Sequence, residues 1–279
     1  MSLIRSRMTM IRSRDNPRVK RWAKLATDSR FRKSEQRILI EGPHLVAEAL
    51  QAQLEPLALI VSESGLQKEE IQKLIGKREP VVLGDHVFGI VADAETPPGI
   101  AAEIEIPQGK DAPFKPTVFL EGVQDPSNVG AILRSAAAFG AGEMVLDRGC
   151  ADPWSPKVLR AAMGGHFKLR LRQVADLEKA LAAFPGKLVC TVPVEGIAIG
   201  KAGLGGRLGW IFGAEGRGVS EALARRAAMR VTIPMAAGSE SINVAAAAAI
   251  CLYEGFAKNQ TPRSPSAHDP LHRGSGAGQ

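Results

Sequence analysis

The sequence predicts an α/β protein with two domains. Short apolar segments typical of buried strands alternate with segments whose apolar residues recur at helical spacing, and this alternation runs through both halves of the chain. Between the halves lies a stretch rich in proline and charge, residues 107–116, which is typical of an interdomain linker. The length of 279 residues also favours two domains over one, and a hydrophobic content of 45% is ample for two cores.

The first half, residues 1–106, is predicted to form a smaller α/β domain that begins with a basic arm, residues 1–37. Asn16 followed by Pro17 is a typical helix start, because the missing N–H of proline does no harm in the first turn. Apolar residues then recur at helical spacing, so Trp22 is expected in the core rather than as a base-stacking platform. The elements expected after this helix are a basic link at 30–37, strands at 38–40, 57–61, 81–83 and 101–106, and helices at 43–54, 68–75 and 85–91.

The basic arm carries most of the net charge of +7, with twelve lysine or arginine residues against three acidic ones. Such a block suits a polyanion, because each phosphate that a cation neutralises releases counterions. A solvated basic face without a partner is the alternative. Trp22 and Phe31 in the same segment favour nucleic acid. The candidate RNA-binding residues are Arg14, Arg18, Lys20, Arg21, Arg32 and Lys33.

The second half, residues 117–258, again alternates predicted strands with predicted helices, and it is predicted to form a mostly parallel sheet with helices on both faces. Asp125-Pro126-Ser127 supplies a helix start after its first strand. Strands are expected at 117–120, 143–146, 167–171, 187–192, 210–212 and 230–233, and further helices at 156–163, 177–184, 219–228 and 243–257. The remaining residues, 259–279, are polar and rich in proline, glycine and serine, which predicts a disordered tail.

Several function classes lack their motifs. The chain has no GxxxxGK[ST], HExxH, GxSxG or CxxC, which argues against a P-loop NTPase, a zinc hydrolase and a serine-elbow hydrolase, and no metal is expected. No apolar run is long enough to cross a bilayer, and the N-terminus lacks the apolar core of a secretory signal. The three cysteines are far apart and are expected to be free thiols in a reducing compartment, which favours the cytoplasm.

Three stretches of the second half place small or polar residues directly after a predicted strand, where open α/β sheets bind ligands. They are residues 128–134, 211–218 and 233–243. In the first, Arg134 lies in an otherwise apolar helix, so its guanidinium either meets a phosphate or carboxylate or extends to the surface. In the second, Glu215 lies between glycines that let a ligand approach the backbone, although a tight turn with an exposed glutamate has the same pattern.

The motifs at these places are EG at 121–122, NVGAILRS at 128–135, FGAEGRG at 212–218, IPM at 233–235 and SINV at 241–244. Their residues, order and separations closely resemble those of the SpoU (TrmH-type) RNA 2′-O-methyltransferases of the SPOUT superfamily. The resemblance covers residues 117–258. More loosely, the first half resembles the substrate-binding domain that ribosomal-RNA members carry, which implies a ribosomal-protein-like fold.

The resemblance implies a deep trefoil knot near the C-terminus, S-adenosylmethionine bound in that knot largely by backbone groups, and a homodimer joined through the knotted domains. The cofactor-binding positions that it implies are Thr191, Phe212, Gly213, Ile233, Met235 and Ile242. The catalytic positions that it implies are Arg134, which activates the ribose 2′-hydroxyl, and Asn128, Glu215, Ser241 and Asn243, which position it. Because arginine is effectively always protonated, stabilising the developing alkoxide is an easier role to assign than that of a literal base.

The sequence therefore predicts 2′-O-methylation of a ribose in structured RNA, with ribosomal RNA favoured over transfer RNA because a folded domain precedes the knot. A non-catalytic RNA-binding ribosome-assembly factor is the first alternative, although such a protein has no evident need for all of the catalytic positions. A nicotinamide oxidoreductase is the second alternative, and the missing dinucleotide fingerprint argues against it.

Overall fold

The computed structural model of the chain describes residues 10–239 and 241–260. Its first half contains a five-stranded sheet in the order β1-β4-β3-β5-β2, in which β5 runs antiparallel to both of its neighbours. The strands are β1 (Met10–Ile11), β2 (Arg37–Glu41), β3 (Ala58–Ser62), β4 (Val81–Leu83) and β5 (Ile100–Glu105). The helices are α1 (Pro17–Thr27), α2 (Ser29–Glu35), α3 (Pro43–Gln51), α4 (Glu69–Ile75) and α5 (Asp85–Val91).

Helix α1 begins where the sequence predicts, because the Asn16 side chain accepts from Arg18 N and Pro17 occupies the first turn. Trp22 is buried in the core as expected, and its indole Nε1 donates to Glu103 on β5. The basic link expected at 30–37 is wrong, since most of it belongs to α2. The Asp28 side chain caps α2 by accepting from Arg30 N and Phe31 N, and this cap outweighs the polar composition of the segment.

The second half contains a seven-stranded, wholly parallel sheet in the order β10-β12-β9-β11-β6-β7-β8. The strands are β6 (Thr117–Leu120), β7 (Glu143–Leu146), β8 (Arg170–Gln173), β9 (Lys187–Thr191), β10 (Ile197–Ala198), β11 (Leu208–Phe212) and β12 (Met229–Thr232). The helices are α6 (Pro126–Ala138), α7 (Pro156–Ala162), α8 (Leu177–Ala182), α9 (Glu221–Ala224) and α10 (Val244–Gln260). Between β5 and β6 the chain forms no helix or strand.

Helices cover both faces of this sheet, as alternating strand residues require. Val118 and Leu120 of β6 pack with residues of α6, α7 and α10, whereas Phe119, between them, packs with residues of α8 and α9. Helices α6 and α7 approach very closely, because a Cβ at Gly130 would lie 2.4 Å from the Cβ of Ala161.

Several elements of the second half differ from expectation, and strand β10 was not expected at all. The strand expected at 167–171 begins later, at Arg170, because a 3₁₀ turn occupies Gly165–Phe167. The helix expected at 219–228 is confined to α9, since it starts only after a loop with Gly218 at φ +68°. Asn259, expected in the disordered tail, belongs to α10, where its side chain donates to Leu204 O at 3.2 Å and to Gly255 O at 2.7 Å. Residues 261–279 lie outside the described residues.

The two halves meet at a buried surface, here called the domain junction, which consists of Arg32, Glu41, Asp152, Trp154, Arg160 and His166. Trp154 packs into the core of the smaller domain, together with Leu159 of α7. Arg160 pairs with Asp93 at 2.7 Å and lies 3.7 Å from Glu41, whose pKa is raised by burial. These contacts join the smaller domain to the parallel-sheet domain.

His166 of the domain junction is fully enclosed. Its Nε2 lies 2.7 Å from Pro153 O, and its ring lies beside Trp154 with the centroids 5.1 Å apart. Burial lowers the pKa of His166 to about 4, although the Pro153 carbonyl and Asp152 oppose that shift. The imidazole is therefore neutral in the folded chain near pH 7.

Candidate active site

Four loops of the parallel-sheet domain meet at one edge of the sheet. Strands β12, β9, β11 and β6 are neighbours and run in the same direction, so the segments that follow them leave from the same edge. These segments are residues 233–243, 192–196, 213–220 and 121–125. The carboxyl edge of a parallel sheet is where such folds hold ligands.

Asn128, Glu215 and Asn243 form a hydrogen-bonded chain across this edge. The Nδ2 of Asn128 donates to Glu215 Oε1 at 2.5 Å, and the Nδ2 of Asn243 donates to Asn128 Oδ1 at 2.9 Å. The Oδ1 of Asn243 accepts from Ala245 N and Ala246 N, which caps α10. Because the Asn128 amide donates to a carboxylate and accepts from an amide, its orientation is fixed. The chain therefore ties α6, the glycine loop and the start of α10 together.

The glycine loop after β11 is closed tightly on itself. Gly218 N donates to Ala214 O at 2.8 Å, and Gly216 and Gly218 have positive φ values of 82° and 68°. A Cβ at Gly213 would lie 2.0 Å from Gly218 O, so no side chain fits there. This closure holds Glu215 beside Asn128.

Arg134 is exposed on α6 and makes no hydrogen bond or ion pair with any residue that the structure describes. It follows Asn128 by six residues, which places it about 9 Å further along the helix axis. The structure therefore does not join Arg134 to the Asn128–Glu215–Asn243 chain. Ser241 is likewise exposed and makes no side-chain hydrogen bond with the described residues. The surface position of the guanidinium leaves its charge available to an anionic ligand.

The loop that follows β12 combines exposed apolar side chains with free main-chain groups. Met235 and Ile242 are 38% and 39% exposed, and Ile233 is partly buried against the core. In the described part of residues 233–242, the main-chain hydrogen bond within the loop is that from Ser239 N to Ala236 O. Unpaired backbone donors and acceptors beside apolar walls suit a purine nucleoside, so these residues fit the cofactor that the resemblance implies.

Two other implied cofactor positions lie at strand ends. Thr191 is the partly buried last residue of β9. The ring of Phe212 is completely buried and stacks on Trp210, with the centroids 6.3 Å apart. Trp210 thus holds the ring of Phe212 in the core, and Phe212 as a cofactor-binding position stays a prediction.

Comparison with known proteins identifies the family. Residues 115–253 match the model of the SpoU rRNA Methylase family, and residues 16–102 match that of the MRM3-like substrate binding domain. The 23S rRNA (guanosine(2553)-2′-O)-methyltransferase RlmP of Bacillus subtilis (strain 168) is 33% identical, with 88% of this chain and 98% of RlmP covered. The chain belongs to the SpoU rRNA methylase family.

Solved structures agree with this assignment of the SpoU family. A crystal structure of an RNA 2′-O ribose methyltransferase superposes with a TM-score of 0.77 at 29% identity, covering 90% of this chain and 99% of that one. The AdoMet-bound rRNA methyltransferase from Sinorhizobium meliloti superposes with a TM-score of 0.76 at 26% identity, covering 90% and 98%. The family resemblance predicted from the motifs is thus confirmed, together with the parallel-sheet fold.

The basic residues of this SpoU protein divide into exposed and buried groups. Arg14, Arg18 and Lys20 are exposed, and Lys20 pairs with Asp15 at 2.9 Å. Lys33 donates to Gln173 Oε1 on β8 at 2.7 Å. Arg21 is partly buried and pairs with two glutamates.

Arg32 was predicted to bind RNA, and the structure contradicts this prediction. Its guanidinium is 4% exposed, donates to Asp152 Oδ2 at 2.6 Å and also donates to the carbonyls of Leu25 and Ala26. No sequence pattern linked Arg32 to Asp152, because 120 residues separate them. Arg32 is a structural residue of the domain junction.

Two acidic residues contribute to the site although the sequence analysis assigned them no role. Glu121 Oε2 accepts from Ser220 N at 2.7 Å, which links the loop after β6 to the end of the glycine loop. Asp147 accepts from Gly122 N, Gly149 N and Cys150 N. Glu121 and Asp147 each follow a buried strand directly. An acidic residue at the carboxyl end of a predicted strand was therefore the sequence pattern that could have indicated a place in the site.

Beside Asp147, burial raises the pKa of Cys150 to about 12, so this thiol is not a nucleophile.

No helix within the described ranges is long and apolar enough to cross a membrane. In the same residues, no cluster of three or more histidine, cysteine or acidic side chains is arranged to hold a metal ion.

Proposed function

We propose that this chain transfers a methyl group from S-adenosylmethionine to the 2′-hydroxyl of a ribose in ribosomal RNA. The observation that carries the proposal is the Asn128–Glu215–Asn243 chain at the carboxyl edge of the sheet, whose Asn128 lies on the same helix as the unpaired Arg134. The similarity to RlmP supports ribosomal RNA as the substrate class, because it extends over both domains.

The residues that would hold the cofactor are the backbone of Gly213, Ile233 and Ile242, with Thr191 and Met235 beside them. When bound, S-adenosylmethionine supplies an electrophilic methyl group on a sulfonium. The glycine loop is suited to holding the cofactor, because its closed form fixes the main chain around Gly213.

Arg134 is assigned to the substrate side of the reaction. A guanidinium stays protonated near neutral pH, so Arg134 stabilises the negative charge that develops on the ribose oxygen and pairs with a neighbouring phosphate. Asn128, Glu215 and Asn243 hold α6 in the orientation that points Arg134 towards the substrate. Ser241 lies one turn before α10, where its hydroxyl is open to the nucleotide.

We also infer that the chain forms a homodimer through the parallel-sheet domain. Ile250, Tyr253 and Phe256 recur along one face of α10 and are 37%, 54% and 38% exposed, and Phe139 adjoins them. An exposed apolar face of this kind is typical of an interface. Sedimentation equilibrium tests the inference, and a monomer at micromolar concentration would contradict it.

Family membership also supports a deep trefoil knot in residues 117–258, with α10 threaded through a loop. It likewise supports the assignment of residues 1–106 as the RNA-binding domain. A crystal structure tests the threading, and an unthreaded last helix would contradict it. The three buried free thiols suit a reducing compartment, so we assign the chain to the cytoplasm, which cell fractionation tests.

The decisive experiment measures methyl transfer directly. The purified chain is incubated with isotope-labelled S-adenosylmethionine and ribosomal RNA from a strain that lacks the gene, and the labelled nucleotide is identified after digestion. The expected product is one 2′-O-methylated nucleotide that is present in the parent strain and absent from the deletion strain. RNA binding without transfer would instead support the ribosome-assembly factor.

A further inference from the structure

A groove on the smaller domain is lined by arginine side chains around an apolar floor. It lies between α1 and strands β2, β3 and β5, and its cavity volume is about 130 Å³. The residues that define this arginine groove are Arg18, Arg21, Trp22, Arg37, Leu57 and Glu103. This volume is smaller than that of an enclosed small-ligand site, about 300 Å³, so the groove admits part of a single nucleotide and not a helix.

Glu103 fixes the arginine groove from below. Its carboxylate is 4% exposed and accepts from Arg21 Nη1 at 2.5 Å, Trp22 Nε1 at 2.8 Å and Arg37 Nη1 at 3.2 Å. Burial alone would raise the pKa of Glu103, but the hydrogen bonds from Arg21 and Trp22 hold it below its ordinary value. The carboxylate therefore stays charged and keeps these side chains in place.

Positive charge remains in the arginine groove after these pairings. Arg21 also pairs with Glu35 at 2.8 Å, so three guanidinium groups face two carboxylates. Arg18 has no carboxylate partner among the described residues, and its Cζ lies 5.0 Å from the centre of the Trp22 ring. Stacking on a buried indole holds the guanidinium in position while its outer edge stays free. Leu57, which is 47% exposed, supplies an apolar surface in the same groove.

We propose that the arginine groove binds one nucleotide of single-stranded RNA, with the phosphate on Arg18 and Arg37 and the base against Leu57. An unpaired nucleotide presents a flat base face and a phosphate together, whereas a duplex hides its bases from such a groove. This proposal rests on the proposed function for RNA as the substrate. It adds the place at which the smaller domain holds the RNA and the single-stranded form that it selects.

The test uses the full chain and a labelled single-stranded RNA of about 12 nucleotides, with the same sequence as a duplex for comparison. Fluorescence anisotropy is measured over a range of salt concentrations for Arg18→Gln and Leu57→Asp. The matched control is Lys73→Gln, which removes an exposed positive charge on α4 that pairs with Glu69. None of the three changes removes a hydrogen bond to Glu103, so the variants are expected to fold.

The expected result is selective loss of single-strand binding. Arg18→Gln weakens it about 3- to 10-fold and lowers the slope of log K against log salt by about 0.7, the value for one phosphate contact on a single strand. Leu57→Asp weakens it about 10-fold, because a negative charge that repels the phosphate replaces the apolar surface beneath the base. Duplex binding changes little in either variant.

Single-strand affinities within about twofold of the Lys73→Gln control for both variants would overturn the proposal. Equal losses for single strand and duplex would overturn it too, because they would indicate general charge attraction. Methyl transfer by the unmodified chain is measured in parallel. Its absence would refute the proposed function, while the oligonucleotide titrations would still decide the role of the groove.

Discussion

At the domain junction, Arg32 is 4% exposed and its guanidinium is bonded to Asp152 and to two main-chain carbonyls. On α6, by contrast, Arg134 is exposed and makes no hydrogen bond or ion pair with the described residues. The guanidinium of Arg32 therefore has all of its charge and hydrogen bonding taken up within the fold, whereas that of Arg134 is free to bind a ligand. A buried guanidinium needs such partners because an unpaired buried charge is costly, whereas an exposed one can keep its charge for a ligand. The comparison separates an arginine that holds the fold from one that we propose serves the reaction.

The largest expected effect is at the available arginine. Arg134→Ala is expected to lower kcat about 1,000-fold, because one charged donor to the developing alkoxide is lost. Arg134→Lys is expected to lose most of the activity too, since a single ammonium cannot reproduce the planar fork. Single-turnover methylation measures the rate, and calorimetry with S-adenosylmethionine checks that cofactor binding survives. A lysine variant with nearly unchanged rate would contradict the role of the fork geometry.

The next largest effect is expected at Arg32, the buried arginine of the domain junction. Arg32→Met is expected to destabilise the fold by about 3 kcal/mol, because Asp152 is left partly buried without its partner. Urea unfolding measures this loss, and the specific activity of the folded fraction is expected to stay near that of the unmodified chain.

The matched control for Arg32→Met is Arg225→Gln. Arg225 pairs with Glu221, four residues earlier, and both side chains are more than 60% exposed. Removing this pair is therefore expected to lower the free energy of unfolding by less than about 0.5 kcal/mol. If Arg32→Met abolished activity at full stability, the division between the two regions would be wrong.

The smallest effect is a pH dependence at the domain junction. His166 has a pKa of about 4 in the folded chain and an ordinary value of 6.5, so the unfolded chain binds the proton more readily. The contribution of the neutral His166 to the free energy of unfolding is therefore intact above pH 6.5 and is lost as the pH falls towards 4. At pH 5 the loss is about 2 kcal/mol relative to pH 7.

His166→Gln removes this titration while keeping a group that can donate to Pro153 O. Unfolding free energies at pH 5 and pH 7 are measured for both chains, and the variant is expected to show the flatter dependence. The raised pKa of Glu41 has the opposite effect on stability, but it is present in both chains and cancels in the comparison. Parallel pH profiles would contradict the assignment to His166.

Local patterns predicted much of the fold. The residues of β4 and α5 were predicted correctly, because each is a short apolar repeat bounded by clear breakers. The Asn16-Pro17 start of α1 is also confirmed, since capping depends on neighbouring residues alone. By contrast, α2 was missed because its cap, Asp28, was not recognised in a polar segment.

Residue roles that depend on distant partners could not be predicted in the same way. Arg18 and Arg32 belong to the same basic arm, yet only the fold distinguishes the exposed one from the one that meets Asp152. At the site, the motifs named Asn128, Glu215, Ser241 and Asn243 as a group around Arg134, and the structure joins Asn128, Glu215 and Asn243 by hydrogen bonds but not Ser241. The separation of Arg134 from Asn128 follows from their spacing of six residues on one helix, so the sequence already contained it.

Asn243 has two tasks, since its side chain caps the last helix and also donates to Asn128. The Asn128–Glu215–Asn243 chain is thus completed only when the final helix docks. A chain that ended before that helix would lose this hydrogen bond together with the part of the core that Ala248, Cys251 and Leu252 fill, so methyl transfer and thermal stability would fall together.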